Sequence, residues 1–475
     1  MTRQRAILVG MLTAGMVLLS AWWAAELGTV QPVHAATFCA PSSTYTTIQT
    51  AINAASDGDT VQIVYGTWYE NLDISDDLTL EGGYTKGCTD RTHPDPQYTI
   101  IDGSATDHVV EITGDSTVTL DGLTLTNGHA QKGGGVYVSE ATATLNKVVV
   151  TNNAISPTTS MPEPYQNWGY GGGVYVYMGM VTLKDCEITY NKSDPASSDI
   201  CFGGGLALES EALDPAIAVI ERTRMVSNAN PSDSTLYGAG LYLDPQSQVT
   251  FQGTDNLIAY NEAKAGGGVY MYGDVDLEGV LIMENFASNN GGGIFISSGY
   301  AGGRVANNYL VRNNANLKGA SVAASDVDLE IANNTIVGDL SGPGAGIEVL
   351  DTGNGVAELT NNIVVSHTIG IRRSDNGFAS MTLTNNDVWG NTTDYDLVSA
   401  GTTDVSVDPE FEDPDNDDYH LAEDSPCIDV GTGVDGLYFD YEGDRRTGTW
   451  LDIGADEYPP AYLSFVPGLL KQHTP

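Results

Sequence analysis

A short pattern of glycines, alternating aliphatic residues and asparagines repeats along most of the chain. Its clearest copies lie in residues 265–315, where glycine triplets begin at Gly266 and Gly291 and an Asn closes each unit. Alternation of apolar and polar residues after each triplet predicts short strands rather than helices. A repeat of about 25 residues in strands and turns is typical of a solenoid, whose coils bury their apolar faces against one another.

The residue after each glycine-rich turn is aliphatic in every copy. Because side chains alternate between the two faces of a strand, this column is predicted to face the interior, stacked coil on coil. With the N-terminal strands, the copies predict roughly twelve coils. The column consists of Val136, Val174, Leu206, Leu241, Val269, Ile294, Val322, Ile347 and Ile371.

Asparagines close most of the coils. Asn tolerates the left-handed backbone conformation of a tight turn, and its amide can hydrogen-bond to its copies in the coils above and below. We therefore predict that this column is structural. Its clear members are Asn127, Asn152, Asn191, Asn228, Asn261, Asn285, Asn313 and Asn391.

Both ends of the chain differ from the repeat. Arg3 and Arg5 precede a long apolar run, and small residues follow near position 35, which predicts a secretory signal at 1–35. An uncleaved membrane anchor is the alternative, because the run is long enough to span a bilayer. After cleavage we expect no membrane span and an extracellular or cell-surface location.

Residues 36–60 are predicted to form an N-terminal cap. Ile48, Ile52 and Ala55 keep helical spacing and are followed by a Gly-containing turn and a strand, which predicts a short amphipathic helix over the first open coil.

The stretch TTIQTAINAASDGDTVQIVYGTWYENLDI resembles the entry to the pectin-lyase-like right-handed parallel β-helix proteins. The glycine triplets resemble the repeats of polymorphic outer-membrane and adhesin-like β-helix proteins. These resemblances imply an all-β fold, a right-handed single-stranded parallel β-helix over residues 61–400. They imply no activity, because one scaffold hosts many functions.

Residues 401–458 are a different unit. The segments DPEFEDPDNDDYHLAEDSPCIDVGTG and DYEGDRRTGTWLDIGADEY are similar to the C-terminal module called choice-of-anchor Q, except that Cys427 stands where the family tends to carry a small apolar residue. The resemblance implies a capping module on an exported rod. The tail, 459–475, is too short and too interrupted by proline to span a membrane.

Charge limits the partners of this protein. The formal net charge is −43, from 19 basic and 62 acidic residues. A polyanion is repelled by such a surface, so we exclude nucleic acid. The expected partner is a polysaccharide or cell-surface glycan, for which the aromatic residues described below are the reason. Nothing in the sequence predicts the oligomeric state.

Five cysteines suit an oxidising compartment, but the odd count leaves at least one outside an intrachain pair. Cys39 with Cys88 is the preferred disulfide, and Cys186 with Cys201 is the second. Cys427 then remains as a buried thiol.

Aromatic residues recur at the outward positions of the strands that follow the glycine turns, and long inserted turns add Trp168 beside them. An exposed aromatic strip suits stacking on sugar rings. The alternative is a tyrosine ladder that only stabilises strand pairing. The candidate carbohydrate-binding residues are Tyr137, Trp168, Tyr175, Tyr177, Tyr242, Tyr270, Tyr272 and Phe295.

Two sets of acidic residues are candidates for chemistry. Glu209 and Asp244 are predicted on successive coils, where a close carboxylate pair could be catalytic as in a retaining glycosidase, could hold calcium, or could be solvated. Asp413, Asp415 and Asp417 have the alternate spacing that lets carboxylates converge on calcium, or they form a solvated acidic turn. No cofactor is required, and calcium is the metal ion that these acids favour.

The leading hypothesis is a non-catalytic surface or extracellular protein that binds glycan or matrix through the tyrosine face. The alternatives are a polysaccharide-degrading enzyme and a structural spacer. The enzyme would be a hydrolase using Glu209 and Asp244, or a lyase near Arg372.

Overall fold

Parallel strands stacked in register account for nearly all the regular structure of this protein. The computed structural model describes residues 35–155, 168–193, 200–211, 214–229, 236–273, 276–297, 303–325, 328–350, 356–374, 380–446 and 451–458. The predicted signal, apart from its last residue, and the predicted tail lie outside the described residues. The chain divides at Thr37, and the account below concerns the unit from Phe38 onward. Among the described residues no helix is both long and apolar enough to cross a membrane.

Each coil contributes strands to several parallel sheets, of which sheets B and C run the length of the described solenoid and sheet A ends at Gln252. Sheet A contains Thr37–Ala40, Asp59–Val64, Leu78–Tyr84, Thr117–Asp121, Thr142–Asn146, Met180–Lys184, Ile217–Glu221 and Gln248–Gln252. Sheet B contains Gly66–Tyr69, Thr99–Asp102, Thr124–Thr126, Val149–Thr151, Glu187–Thr189, Arg224–Val226, Leu257–Ala259, Leu281–Met283, Tyr309–Val311, Thr335–Val337, Ile363–Val365 and Asp387–Trp389. Sheet C contains Leu72–Ile74, Val110–Ile112, Val136–Ser139, Val174–Tyr177, Leu206–Glu209, Leu241–Leu243, Val269–Tyr272, Ile294–Ser297, Val322–Ser325, Ala345–Leu350, Ile369–Arg373 and Thr393–Asp396.

Smaller sheets fill the turns between these. Sheet D contains His129–Ala130, Ala154–Ile155 and Lys192–Ser193. Sheet E, which directly precedes sheet C in each coil, contains Trp168–Tyr170, Ile200–Phe202, Leu236–Tyr237, Glu262–Ala265, Phe286–Asn290 and Asn314–Ala315. Sheet F follows sheet A along the stack and contains Asp276–Glu278, Gly303–Ala306, Leu329–Ala332, Val356–Thr360 and Ser380–Thr384. This topology is a parallel β-helix, as the repeat predicts.

The predicted aliphatic column forms the inner face of sheet C. Val136 lies opposite Val174 in the neighbouring coil, and the same register continues through the paired strands to Ile347 and Ile371. All nine members are fully buried. The prediction is confirmed, and full burial of such side chains stabilises the fold by roughly 1.5–3 kcal/mol each.

Buried asparagines connect the coils in a second way. In each step of the ladder one Asn donates its amide N–H to the side-chain oxygen of the next Asn, over 2.9–3.2 Å. The same oxygen also accepts the backbone N–H of the first Asn. The ladder runs through Asn153, Asn191, Asn228, Asn261, Asn285 and Asn313.

The structure corrects the start and end of this column. Asn127 and Asn152 adopt the predicted left-handed backbone, with φ of 57° and 56°, but the ladder begins one residue later, at Asn153. In the following coils the left-handed residue is also the one before the ladder Asn, as Tyr190 is before Asn191, so the predicted backbone conformation is wrong for the ladder asparagines. Asn391 accepts the backbone N–H of His367 instead. A second ladder of amide hydrogen bonds, which the sequence analysis did not predict, joins Asn308, Asn334, Asn362 and Asn386.

The helix predicted near the N-terminus spans Ile48–Ile52. Its Thr47 N-cap accepts the backbone N–H of Thr50, and Glu70 accepts the N–H groups of Ile48 and Gln49 at 2.9 and 3.0 Å. Its buried face packs on the first coil. The Cys39–Cys88 disulfide forms as predicted, but Cys186 is a free thiol in the main core, so the second pairing is wrong. Cys427 is a buried thiol, as predicted.

The C-terminal residues follow an unexpected path. Tyr395 and Val398, within the last coil, pack against the main core. The later residues lie along the outside of sheet B, where Leu421, Cys427 and Ile453 pack against side chains such as Val337 and Ile363. The antiparallel strands Phe411–Asp413 and Asp418–Leu421 and the 3-10 helices Pro96–Tyr98 and Pro414–Asn416 complete the regular structure.

Hydrogen bonds extend this lateral packing back along several coils. Asn361 exchanges bonds with Thr432, and Asn307 donates to the carbonyl of Phe439. The Tyr441 hydroxyl donates to the carbonyl of Thr254 at 2.7 Å. The predicted capping module therefore also contacts the side of the solenoid.

Replacing Asn261 with Ala tests the ladder. The change removes the oxygen that accepts both the backbone N–H and an amide N–H of Asn228 in the preceding coil, and it leaves the carbonyl of Met225 without its side-chain donor. Because unsatisfied buried polar groups each cost about 1–3 kcal/mol, we expect a loss of about 3 kcal/mol in the free energy of unfolding, measured by chemical denaturation. The exposed Asn316, changed to Ala, should alter it by less than about 0.5 kcal/mol. Equal effects for the two variants would refute a special role for the ladder.

Candidate functional site

The outer side of sheet C carries a ladder of aromatic rings. Tyr137 lies opposite Tyr175, and Tyr242 lies opposite Tyr270, which in turn lies opposite Phe295. Ala207 interrupts the ladder between Tyr175 and Tyr242. Strand register therefore brings together the aromatic residues that the alternation selected.

A second row of rings from sheet E packs on this ladder. Tyr170 contacts Tyr175 at 5.6 Å between ring centroids, Phe202 contacts Tyr242 at 4.6 Å, and Tyr237 contacts Tyr270 at 5.4 Å. We call the two rows together the aromatic patch. Its members are Tyr137, Trp168, Tyr170, Tyr175, Tyr177, Phe202, Tyr237, Tyr242, Tyr270, Tyr272 and Phe295.

The predicted exposure of the ladder is wrong at its centre. Tyr175, Tyr242, Tyr270 and Phe295 are only 0%, 6%, 9% and 9% exposed. The reason is the glycine turn: a residue such as Gly171, with φ of 62°, joins a strand of sheet E to a strand of sheet C, and the rings of the two sheets then pack together. At these four positions the ladder forms a second, smaller hydrophobic core.

Accessible rings remain at the margin of the aromatic patch. Tyr137, Trp168 and Tyr177 are half-buried, and Tyr272 is 38% exposed. Tyr137 is held on both sides, since it stacks on His108 at 5.1 Å and on Tyr175 at 5.6 Å. Tyr137 and Tyr177 are both held against the buried ring of Tyr175, and Trp168 packs against Phe202.

Lys132 lies within this aromatic environment. Its ammonium is 5.2, 5.0 and 5.4 Å from the ring centroids of Tyr170, Tyr175 and Tyr177, which favours a cation–π contribution. It donates to the Tyr175 hydroxyl at 3.0 Å and to Glu209 at 3.4 Å. The Tyr175 hydroxyl also donates to Glu209. Glu209 is thus a fixed carboxylate with two donors.

Sequence reasoning missed Lys132, although a signal was present. The residue immediately before each glycine turn forms its own column, in which Lys132 pairs with Tyr170, and Tyr170 with Phe202. A basic residue at the start of an otherwise aromatic column could have been found from the repeat alone.

Asp244 follows the strand Leu241–Leu243, which pairs with the strand that carries Glu209. Burial, and then the negative charge of Glu209, raises the pKa of Asp244 to about 7, although a backbone hydrogen bond from Ser210 opposes the rise. The structure therefore brings the two predicted carboxylates onto neighbouring coils in different environments. One carboxylate has a cationic partner, and the other titrates near neutrality.

Different environments for two carboxyl groups suit acid–base chemistry as well as ligand binding. A carboxyl group with a pKa near 7 can donate a proton, and a fixed carboxylate can stabilise positive charge or accept hydrogen bonds from sugar hydroxyls. The same geometry is consistent with simple hydrogen bonding to a carbohydrate.

The predicted calcium ligands do not gather at one point. Asp417 accepts two hydrogen bonds from Arg312, and Asp413 accepts one from Asn416 at 2.7 Å. In the described part of the chain, the group of possible ligands that lie within 4.8 Å of one another consists of other residues, His420, Glu442 and Asp456. Ion pairing with Arg312 explains why the alternating run does not converge.

The Arg372 of the lyase alternative lies elsewhere on sheet C and is already ion-paired. It donates to Asp396 at 2.9 Å and lies 3.7 Å from Glu348. Strand register places Arg372 in the same outward column as the ladder, three coils beyond Phe295.

Two family models match parts of the chain. The model described as right handed beta helix region matches residues 215–393, and a family described as protein of unknown function (DUF1565) matches residues 36–173. Together with the strand topology, the first match identifies the fold as a right-handed parallel β-helix. No curated protein matches the sequence.

Several solved structures align with this chain at low identity. PfbA, a surface adhesin of Streptococcus pneumoniae, is 12% identical, with 73% of this chain and 86% of that chain covered and a TM-score of 0.42. Pectate lyase Pel9A is 13% identical, with 89% and 96% covered and a TM-score of 0.38. The periplasmic alginate epimerase AlgG is 9% identical, with 73% and 76% covered and a TM-score of 0.35.

The pKa of Asp244 predicts a pH dependence of stability. Because this pKa is higher in the folded than in the unfolded chain, folding binds a proton, and stability falls as pH rises from about 4 to about 7. The Asp244→Asn variant should lack this component, which we expect to be roughly 2 kcal/mol after solvent screening. Denaturation of both proteins at several pH values measures it.

An exposed acid provides the matched control for this measurement. Asp424→Asn should follow the wild-type pH dependence, because Asp424 lies at the surface. A constant difference between wild type and Asp244→Asn from pH 4 to pH 7 would show that the pKa of Asp244 is not raised.

Proposed function

We propose that this protein is an exported surface or extracellular β-helix protein that binds glycan or matrix at the margin of the aromatic patch without cleaving it. The observation that carries the proposal is the rigid, partly exposed row of rings beside Glu209, Asp244 and Lys132. Aromatic faces stack on the apolar faces of sugar rings, and charged side chains at the edge bind hydroxyl groups.

Preorganisation supports binding at this margin. Tyr137 is held between two rings, and the Tyr177 hydroxyl donates to Glu211 at 2.5 Å. Side chains that are already ordered lose little conformational entropy when a ligand binds. Side chains that are already ordered therefore suit an extended glycan, which binds through several weak contacts.

Charge narrows the ligand class. The net charge of −43 repels polyuronates and other polyanions, whereas a neutral glycan is unaffected. We therefore propose a neutral polysaccharide or cell-surface glycan as the ligand, and no cofactor. Export rests on the predicted signal at 1–35, and the resemblance of 401–458 to choice-of-anchor Q supports the same location.

Loss of the marginal rings should weaken binding. We expect Tyr272→Ala combined with Trp168→Ala to weaken glycan binding at least 10-fold, because both rings are partly exposed and each lost stacking contact costs on the order of 1 kcal/mol or more. A glycan array of residues 36–475, with and without calcium, identifies the ligand, and titration of that ligand measures the loss.

The control for this pair is Tyr69→Ala, since Tyr69 is 72% exposed on sheet B. It should bind as the wild type does. An array without any glycan ligand, or a double variant with full affinity, would contradict the proposal and favour the structural-spacer alternative, in which the buried rings only pack.

Hydrolysis is the second candidate, favoured by the pKa of about 7 at Asp244 beside Glu209. If the protein is a hydrolase, Asp244→Asn and Glu209→Gln should each reduce release of oligosaccharides at least 100-fold while binding is retained. Loss of a general acid should also remove the alkaline limb of the pH profile near pH 7. Product analysis on every polysaccharide that binds decides between the candidates: binding without new chain ends supports the non-catalytic function.

A further inference from the structure

A buried polar region lies where the C-terminal residues pack on sheet B. Within the described chain, three of its buried side-chain atoms lack a hydrogen-bond partner: Asn307 Oδ1, the Tyr309 hydroxyl and Arg446 Nε. Buried polar groups are normally paired. One of these atoms, the Tyr309 hydroxyl, belongs to a side chain that contacts His420.

His420 occupies the centre of a group of acids in this region. Its Nδ1 lies 2.5 Å from Asp418, and its Nε2 lies 3.0 Å from Glu442. Ligand atoms of His420, Glu442 and Asp456 all lie within 4.8 Å of one another. A carboxylate that orients one imidazole nitrogen, and thereby directs the other toward further carboxylates, is the usual arrangement around a metal-bound histidine.

Tyr309 supplies the independent observation. Its side chain is 6% exposed, its hydroxyl is unpartnered among the described residues, and its ring contacts Tyr441 at 4.9 Å and His420 at 6.2 Å. Its contact with the ring of His420 places Tyr309, with its unpartnered hydroxyl, beside the proposed ligands.

We propose that His420 Nε2, Glu442 and Asp456 bind a divalent transition-metal ion of the Zn²⁺ class, with Asp418 as the positioning residue and the Tyr309 hydroxyl completing the surroundings of the ion. Imidazole combined with carboxylates suits Zn²⁺ and its neighbours better than calcium, which takes oxygen ligands. The site differs in every ligand from the acidic run at 413–417.

One of the proposed ligands faces a cleft. Glu442 and Tyr441 line a cleft of about 690 Å³, which is also lined by residues of sheets A and F such as Phe251 and Glu278. The three ligands lie in the strand Asp418–Leu421, in the turn after Tyr441, and near the end of the described chain. One ion thus connects three separate stretches of the C-terminal residues.

Metal binding to the full chain tests this assignment. After removal of metal with a chelator and of any affinity tag, titration with Zn²⁺ should show one ion per chain, and Co²⁺ should give the absorption bands of a bound ion. His420→Ala should weaken Zn²⁺ binding at least 100-fold and abolish the Co²⁺ bands. Asp418→Asn should weaken it about 10-fold to 100-fold, as loss of an orienting carboxylate does.

Two further variants separate binding from folding. Tyr309→Phe removes only the unpartnered hydroxyl, so it should fold as the wild type does, without metal, and bind Zn²⁺ more weakly. His93→Ala is the matched control, because His93 is distant from His420 in the sequence and lies near the N-terminal disulfide. This variant should bind Zn²⁺ as the wild type does. The proposal is overturned if no ion binds at 1:1 stoichiometry, if His420→Ala retains affinity in a folded protein, or if Ca²⁺ displaces Zn²⁺ at equal concentration.

Discussion

The fold depends on one constraint: every polar backbone group inside a coil must find its partner in the next coil. The buried asparagine ladder shows how strictly this holds, because each amide satisfies a side chain and two backbone groups at once. A coil in the wrong register would leave these groups unpaired at a cost of several kcal/mol. The columns of like residues on every sheet follow from that register, and so does the juxtaposition of residues that are about 25 to 40 positions apart in the chain.

The register between coils also determines which side chains meet at the candidate site. Strand pairing places Tyr175 and Glu209 on neighbouring coils, and the glycine turns bring Tyr170 and Phe202 against the ladder. The buried rings fix the position of the exposed ones, and Lys132 neutralises one of two nearby acids. The proposed glycan binding depends on this combination of ordered rings with acids in unlike environments.

The sequence predicted what depends on period and stacking. Alternation located the interior column from Val136 to Ile371, and the helix at Ile48 followed from its spacing. Alternation alone could not predict the burial of Tyr242, because a strand has two faces and the pattern does not say what covers the outer one. The path of the C-terminal residues was also out of reach. It depends on contacts such as that of Ile453 with Ile363, which join parts of the chain that share no repeat.

The lateral path of the C-terminal residues changes how the molecule responds to force. A simple solenoid touches only its nearest neighbours and peels coil by coil from a free end. Here the C-terminal residues also form hydrogen bonds to earlier coils. Their partners in those coils are Thr254, Asn307 and Thr335. Tension applied to these C-terminal residues must break their lateral contacts before the coils beneath them can unfold. The coils that they contact are therefore expected to resist force together and not one by one.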